Sequence, residues 1–561
     1  MKKQKIALLP MDDRPVNYDY PGYLARAAGC KLLIPPREWL GNPWRASQHA
    51  RLVDWVAQAA QTADAMIIAI DTLAYGGLIP SRTSREARDY VLDRLAVLRR
   101  IKIKRASMPI LAFNVIQRIS CHNSSEEEKN YWAYYGSDMF RLSYLEHKVA
   151  LGDASPSEVS ESAILRAKIP QQVYEDYRHG RSRNHAVNQA MLDWLAEGVF
   201  DYLLLPQDDT ADYGWNIAEA RALQVKIRAL DLSDRAIVYP GADEIGCLLL
   251  ASALCRQVGY KPSVWPRYSS IHSASIITTY EDRPIHELLK AHLAPLNGVI
   301  AASPESADLL LFVNAPSHAQ GEGMYQWLVW RSQETLPQAL LQESSEEARP
   351  YQEQVAIDSG FQATRREMET PHRNLEEFVR ALWSEMATGR PVALADVAFV
   401  NGADLILGNL LVKNHQVAHL CAYGGWNTAG NTLGCVLAQA VLRTLVLKNG
   451  GQPSQTKAHL EFLFLRFLDD YYYQARERTL AWLEDLPSLG LPSSWEHIAD
   501  STRASALDDR IHSRLTQAAI ELEQNFIRSG LVSQVRVNNI HLPWQRLFEM
   551  GCEVEVTLAS Q

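Results

Sequence analysis

Short apolar runs that close on polar residues recur along the first half of the chain, each followed by a segment with apolar residues at helical spacing. Ile6 to Leu9 opens onto Met11-Asp12-Asp13-Arg14-Pro15-Val16-Asn17. Tyr23 to Ala28 is predicted helical, closed by Gly29, and Lys31 to Ile34 is a second strand, so the opening reads as a βαβ unit. Helix 46–62 leads to strand Ala65 to Ile70, which runs into Asp71-Thr-Leu-Ala-Tyr75-Gly76-Gly77. Helix 85–99 precedes strand Pro109 to Val115, with Asn114 inside it and Arg118 just beyond.

The pattern is clearest at Asp201-Tyr-Leu-Leu-Leu-Pro-Gln-Asp208-Asp209-Thr210. A helix closed by Gly198 precedes it, and its apolar run leads directly into two carboxylates. Helix 216–228 and strand Ala236 to Tyr239 follow, the latter running into Pro240-Gly-Ala-Asp243-Glu244. Six strands over roughly 240 residues predict a parallel sheet, barrel-like or open. Residues 121–180 lose the strand pattern and become helical, acidic and aromatic, as in Glu126-Glu127-Glu128 and Tyr131-Trp132. This insertion is expected to cover the mouth of the fold.

A second βα series is expected from about Ser273, with strands at 274–279, 298–302, 308–314, 392–396 and 417–422 and helices near 370–388 and 429–446. The run Leu309 to Asn314 is continuously apolar before its Asn, which marks a strand covered on both faces. The polar stretch between Gln333 and Arg366 reads as a loop or insertion. After Gly450 the chain is mainly helical, with a short β element over 535–558. The fold class is therefore α/β. A barrel-like domain spans 1–270, a flavodoxin-like three-layer domain 271–450, and a helical region 451–561.

Composition narrows the partners. The chain has 561 residues, 47% hydrophobic and 22% charged, with a formal charge of −9. That is an ordinary globular balance, and the absence of a long basic run argues against nucleic acid or an anionic membrane. A neutral or cationic small ligand fits better. The apolar part of the N-terminal segment stops at Pro10, short of the roughly 7 to 15 residues of a signal sequence. No window approaches the roughly 18 uninterrupted apolar residues of a membrane helix. Seven cysteines without CxxC spacing give neither a disulfide framework nor a zinc signature, so the cytoplasm is expected.

Chemistry is expected at the carboxyl ends of the strands. Four acidic sites lie there: Asp12-Asp13, Asp71, Asp208-Asp209 and Asp243-Glu244. Side by side, they would converge on one rim, where burial and like-charge repulsion separate the pKa values of an acid and a base. Any one of them can instead cap the next helix or stabilise a turn. Arg14, Arg82 and Arg118 also follow strand ends and either bind an anion bidentately or neutralise the rim, the latter being preferred. Arg82 is expected at the surface.

The glycine-rich stretch Tyr423-Gly424-Gly425-Trp426-Asn427-Thr428 lets backbone approach a ligand at a helix start, or is a capped turn. Among 14 Trp and 23 Tyr, Tyr75, Trp215 and Trp426 lie beside these loops and suit the stacking faces of a sugar. The 16 His form no HExxH or HxH pair, and no GxSxG elbow is present. No cofactor is implied. An all-oxygen Mg²⁺ or Ca²⁺ site on the Asp pairs stays open as an alternative.

Taken together, Pro10-Met-Asp12-Asp13-Arg14-Pro15-Val16-Asn17, Asp71 with Tyr75-Gly76-Gly77, Leu205-Pro-Gln-Asp208-Asp209-Thr210, Gly241-Ala-Asp243-Glu244 and Gly424-Gly425-Trp426-Asn427-Thr428 resemble an uncharacterised bacterial family, domain-of-unknown-function family 4127. That resemblance spans nearly the whole chain and carries no activity. Locally, Gly198 to Asp209 is similar to the helix-turn-strand of the O-GlcNAc-removing β-N-acetylglucosaminidases. The likeness implies that Asp208 orients the substrate's N-acetyl group and Asp209 is the general acid/base. The Asp243-Glu244 pair resembles that of other hexosaminidases and competes for the role.

The expected function is hydrolysis of a glycosidic bond in a small or partly degraded glycan, with an N-acetylhexosaminide as the candidate substrate. Asp208, Asp209, Asp243 and Glu244 are the candidate catalytic groups. Asp12, Asp13, Arg14, Asn17, Asp71, Tyr75, Asn114, Arg118, Trp426 and Asn427 would bind substrate. The alternatives are an Asp-cluster metal-dependent hydrolase and a non-catalytic protein that binds a sugar or nucleotide.

Overall fold

The short apolar runs of the first half form parallel strands: β1 (Lys5–Leu9), β2 (Lys31–Leu33), β3 (Ala65–Ala69), β4 (Ile110–Phe113), β5 (Tyr202–Gln207) and β6 (Ala236–Pro240). All of β3, β4 and β5 is buried, as expected when helices cover both faces. The computed structural model describes residues 4–333, 359–491 and 497–560. Within it the chain divides into two compact units. The first takes Met1–Ala25, Cys30–Ala253 and Tyr280–Asp282, and the second Arg26–Gly29, Leu254–Thr279 and Arg283–Gln561.

In the first unit the strands run in the order β2-β1-β3-β4-β5-β6, every neighbouring pair parallel. The hydrogen-bonded ladder is open, with β2 and β6 at its edges. In a flat sheet β1 and β6 would lie about 19 Å apart, four strand spacings. Yet Arg14, just after β1, binds Asp243, just after β6, at 2.6 Å. The segments that follow β1 and β6 therefore converge beyond the carboxyl edge of the sheet. One face packs on the helices His49–Thr62, Arg88–Leu95 and Gln171–Ala196, with Leu52, Val56, Val91, Val187, Met191 and Leu195 in a single apolar core. The insertion begins without regular structure and becomes the helices Trp132–Ala150 and Pro156–Lys168, leading into Gln171–Ala196.

The second unit holds a parallel sheet of β7 (Ser263–Tyr268), β8 (Val299–Ile300), β9 (Leu309–Asn314), β11 (Val392–Asp396) and β13 (Ala422–Gly424). It has a separate parallel pair, β10 (Gly321–Glu322) with β12 (Phe399–Val400). The large sheet is ordered β13-β11-β9-β7-β8, which in chain order is 2-1-3-4-5. No strand forms over 274–279. Ser273–Ser275 is a 3₁₀ turn and Ile277 is exposed, while β7 lies upstream. The β-branched Ile276-Ile277-Thr278-Thr279 imitates a strand, whereas Pro266 disguises the real one. Likewise the strand expected over 417–422 is the shorter β13, preceded by a 3₁₀ turn at Val417–His419.

Of the polar stretch between Gln333 and Arg366, residues 334–358 lie outside the described residues, and 359–366 fall in the helix Ser359–Glu369. The C-terminal part joins the helix Pro453–Arg466, a π-helical stretch Phe467–Glu477, the helix Ser501–Arg528 and the antiparallel pair β14 (Val532–His541) and β15 (Gly551–Leu558). The helix Ala429–Lys448 is long and apolar enough to cross a membrane, but 83% of its most apolar window is buried inside the protein.

Candidate functional site

The carboxyl ends of β1, β3, β4, β5 and β6 carry an interlocked set of acids and arginines. Beyond β1 the chain turns so that Asp12 Oδ1 accepts hydrogen bonds from the Arg14 amide at 3.1 Å and from Asn17 Nδ2 at 2.9 Å. The Arg14 guanidinium donates through Nε and Nη2 to Asp12 Oδ2, at 3.0 and 2.7 Å. It also donates through Nη1 and Nη2 to the two oxygens of Asp243, at 3.2 and 2.6 Å. One cation thus holds two buried carboxylates in forked geometry. Burial pushes the Asp243 carboxyl up from its ordinary value, and Arg14 opposes that shift.

Their sequence neighbours turn elsewhere. Asp13 pairs with Arg45 at 2.7 Å. Glu244 is fully buried and folds back over Gly241, whose φ is +131° and where a Cβ would lie 2.4 Å from Glu244 Oε1. Only glycine fits there.

Asp71 lies in the short helix Ile70–Tyr75 directly after β3 and is buried. Its Oδ2 accepts from Asn114 Nδ2 at 3.1 Å and from the Val115 amide at 2.8 Å. Loss of solvent outweighs both bonds and raises its pKa to about 6. Next, Gly76 reverses the chain at φ +102°, with Ser47 Oγ 2.5 Å from where a Cβ would sit. The helix Leu78–Thr83 then brings Arg82 to the rim. The expectation of a surface arginine is therefore corrected: the Arg82 side chain is 3% exposed and bonds Asp208 at 2.6 Å.

At the end of β5, Asp208 and Asp209 each have their own arginine. Arg82 Nη2 donates to Asp208 Oδ2, and Arg118 Nη1 donates to Asp209 Oδ2 at 3.3 Å. Asp209 has φ +45°, in the left-handed region that Asp and Asn tolerate best among residues with a side chain. Desolvation raises its pKa to about 6, with Arg118 opposing and Asp208 reinforcing the shift. Because 30% of its side chain stays exposed, it can still exchange its proton with solvent.

From the insertion, Glu127 and Glu128 close the cluster. Glu127 Oε2 accepts from Arg118 Nη2 at 2.8 Å and from Arg82 Nη1 at 3.2 Å. Glu128 lies 3.7 Å from Arg82 and 3.8 Å from Arg118. In the sequence these two appear only as part of an acidic run, with nothing to pair them with arginines earlier in the chain.

The other named residues are placed as follows. Tyr75 is buried with the Arg183 guanidinium 4.8 Å over its ring. Trp426 and Asn427 belong to the second unit, in the turn between β13 and the helix Ala429–Lys448. There Thr428 caps the helix by accepting from the Asn431 amide, the Trp426 amide donates to Thr432 Oγ1 at 3.1 Å, and the Gly425 amide donates to Asp470 at 2.7 Å.

The second unit has a polar centre of its own that sequence reasoning missed. Asn314 and Asp396, at the ends of β9 and β11, bond at 2.8 Å, and Arg373 joins Asn314 to Asp404 at 3.0 and 2.7 Å. Burial and the charge of Asp404 push the Asp396 carboxyl up. Applying the strand-end rule to the second series would have flagged Asn314 and Asp396. Among the described residues, no group of three or more His, Cys, Asp or Glu is arranged to hold a metal ion.

Over residues 6–553 the chain matches a family described as protein of unknown function (DUF4127), and it belongs to that family. No curated protein matches it.

Proposed function

We propose that this member of the DUF4127 family is a hydrolase that cleaves a glycosidic bond in a small or partly degraded glycan by carboxylate general acid/base catalysis. One observation carries the reading. Asp209, next to Asp208 at the end of a buried parallel strand, has its pKa raised to about 6 by burial while its side chain remains partly open to solvent. A carboxyl of that kind keeps its proton to higher pH than an ordinary aspartate and can deliver it to a leaving oxygen, which general-acid catalysis requires. In this reading Asp209 protonates the glycosidic oxygen as its bond to the anomeric carbon breaks, and a water bonds to that carbon and returns a proton to Asp209. Asp208, fixed by Arg82, orients the substrate beside the reacting carbon. The Asp12–Arg14–Asp243 bridge keeps the opposite side of the rim rigid.

The six-stranded sheet is then a barrel-like catalytic domain. The 2-1-3-4-5 sheet is a flavodoxin-like companion, in which ligands bind where the strand order reverses. Cytoplasmic location follows the same composition argument as above. The metal-hydrolase alternative is less well supported, because Arg14, Arg82 and Arg118 already hold the carboxylates that would ligate the ion.

The test is a screen of purified protein against aryl glycosides, including N-acetylhexosaminides and glucuronides, with and without a chelator. Chelator-resistant release that Asp209→Asn abolishes supports the reading. Full turnover by Asp209→Asn on a confirmed substrate would sink it.

A further inference from the structure

Glu127 is placed as a ligand would be. A single carboxylate oxygen, Oε2, bridges two guanidinium groups, Arg118 at 2.8 Å and Arg82 at 3.2 Å. Those arginines use other nitrogens to hold Asp209 and Asp208. The result is a two-arginine fork, with the Asp pair on one side and one more carboxylate on the other.

Glu127 also stands apart from the rest of the cluster. It lies between β4 and the helix Trp132–Ala150, in a segment with no helix or strand of its own beyond one isolated bridge at Ile116. Its side chain is 20% exposed and that of Arg118 is 23% exposed, whereas Glu128 and Arg82 are at 4% and 3%. The Glu127 carbonyl also accepts from Arg82 Nη1 at 3.3 Å, so the backbone is tied to the fork and it is the partly exposed side chain that would swing out; Arg118 is the arginine a ligand can reach.

We infer that Arg82 and Arg118 form a carboxylate-recognition site, that Glu127 occupies it in the free protein, and that the substrate is an acidic sugar of the uronic acid class. This rests on the reading of Asp208 and Asp209 as the catalytic pair. Charge selects the ligand. Exchanging the Glu127 carboxylate for a sugar carboxylate leaves the number of negative charges around the two arginines unchanged. A phosphate dianion would add one beside Asp208, Asp209 and Glu128. A neutral sugar offers no group to replace the one displaced, and would leave the arginines short of a partner. Planar, bidentate capture of carboxylate is what guanidinium groups do best. The internal carboxylate lowers the apparent affinity by the fraction of molecules in which it fills the fork.

The experiment is calorimetric titration of the full chain with glucuronate, glucose and inorganic phosphate, for the wild type and for Glu127→Gln and Glu127→Ala. Glucuronate affinity should rise about tenfold or more in both variants if Glu127 fills the fork in nine molecules of ten or more. Glucose should be unaffected, and adding Arg118→Gln to either variant should remove the gain. Equal glucuronate affinity in the wild type and both variants overturns the inference, as does a larger gain for phosphate than for glucuronate. The glycoside screen separates the two claims. Turnover of neutral glycosides with no Glu127 effect on glucuronate would leave the hydrolase and remove the recognition site. A Glu127-dependent gain with no glycoside turned over would do the reverse.

Discussion

Arg14 and Asp243 are 229 positions apart in the chain and 2.6 Å apart in the fold. Since Arg14 also holds Asp12, removing the cation takes the shared positive charge from two buried carboxylates that face each other. Arg14→Met should cost roughly 3–5 kcal/mol, the usual penalty for breaking a buried pair from one side. Urea denaturation of the purified variant measures it. A loss below about 1 kcal/mol would show that solvent reaches these groups well enough to replace the arginine.

Asp71 predicts a pH dependence of stability. Its folded pKa of about 6 lies above the ordinary 3.8, so the folded state binds the proton more tightly than the unfolded chain. The stabilising contribution is complete below the ordinary value and is lost as pH rises toward the folded one. Asp71→Asn keeps an acceptor for Asn114 and Val115 and removes the titration. The stability of the wild type relative to Asp71→Asn should therefore fall between about pH 4 and pH 6 and level off above, which urea midpoints across that range will report.

For Asp209 the prediction concerns rate. Asparagine tolerates the left-handed backbone at this position, so Asp209→Asn should fold and melt close to the wild type. Activity on a confirmed glycoside should fall by about 10²–10⁴, the usual share of a general acid. The wild-type kcat/KM should decline as pH rises through about 6, where the acid loses its proton. A flat profile across that range would remove Asp209 from the acid role.

Gly241→Ala places a methyl 2.4 Å from Glu244 Oε1 at a backbone angle that disfavours side chains. The expected destabilisation is about 1–3 kcal/mol, read as a lowered melting temperature. The clash is isolated by a double-variant cycle: the loss in Gly241→Ala/Glu244→Ala should be smaller than the sum of the losses in the two single variants.

How much of the site was legible depended on how local each signal was. The sequence exposes Asp208-Asp209 because an apolar run ends there, and the structure puts both at the rim. It does not distinguish Asp12 from Asp13. Both follow the same strand, yet one joins Arg14 and Asp243 and the other turns to Arg45. Arg82 reads as a surface residue until the reversal at Gly76 brings it to Asp208. Strand β7 was hidden by Pro266, whose missing amide normally argues against an inner strand.

What the sequence alone determined was the alternation of parallel strands and helices and the gathering of acids at strand ends, because both arise from periodicity and turn chemistry within a few residues. The tertiary structure decided which charges meet. The order of strands in the first sheet sets those pairings, and it depends on contacts between segments well separated in the chain, which no local pattern encodes. Glu127 shows that even a modest separation hides such a pairing: in the sequence it is one acid in a run of three, and in the fold it is the carboxylate that fills the fork between Arg82 and Arg118.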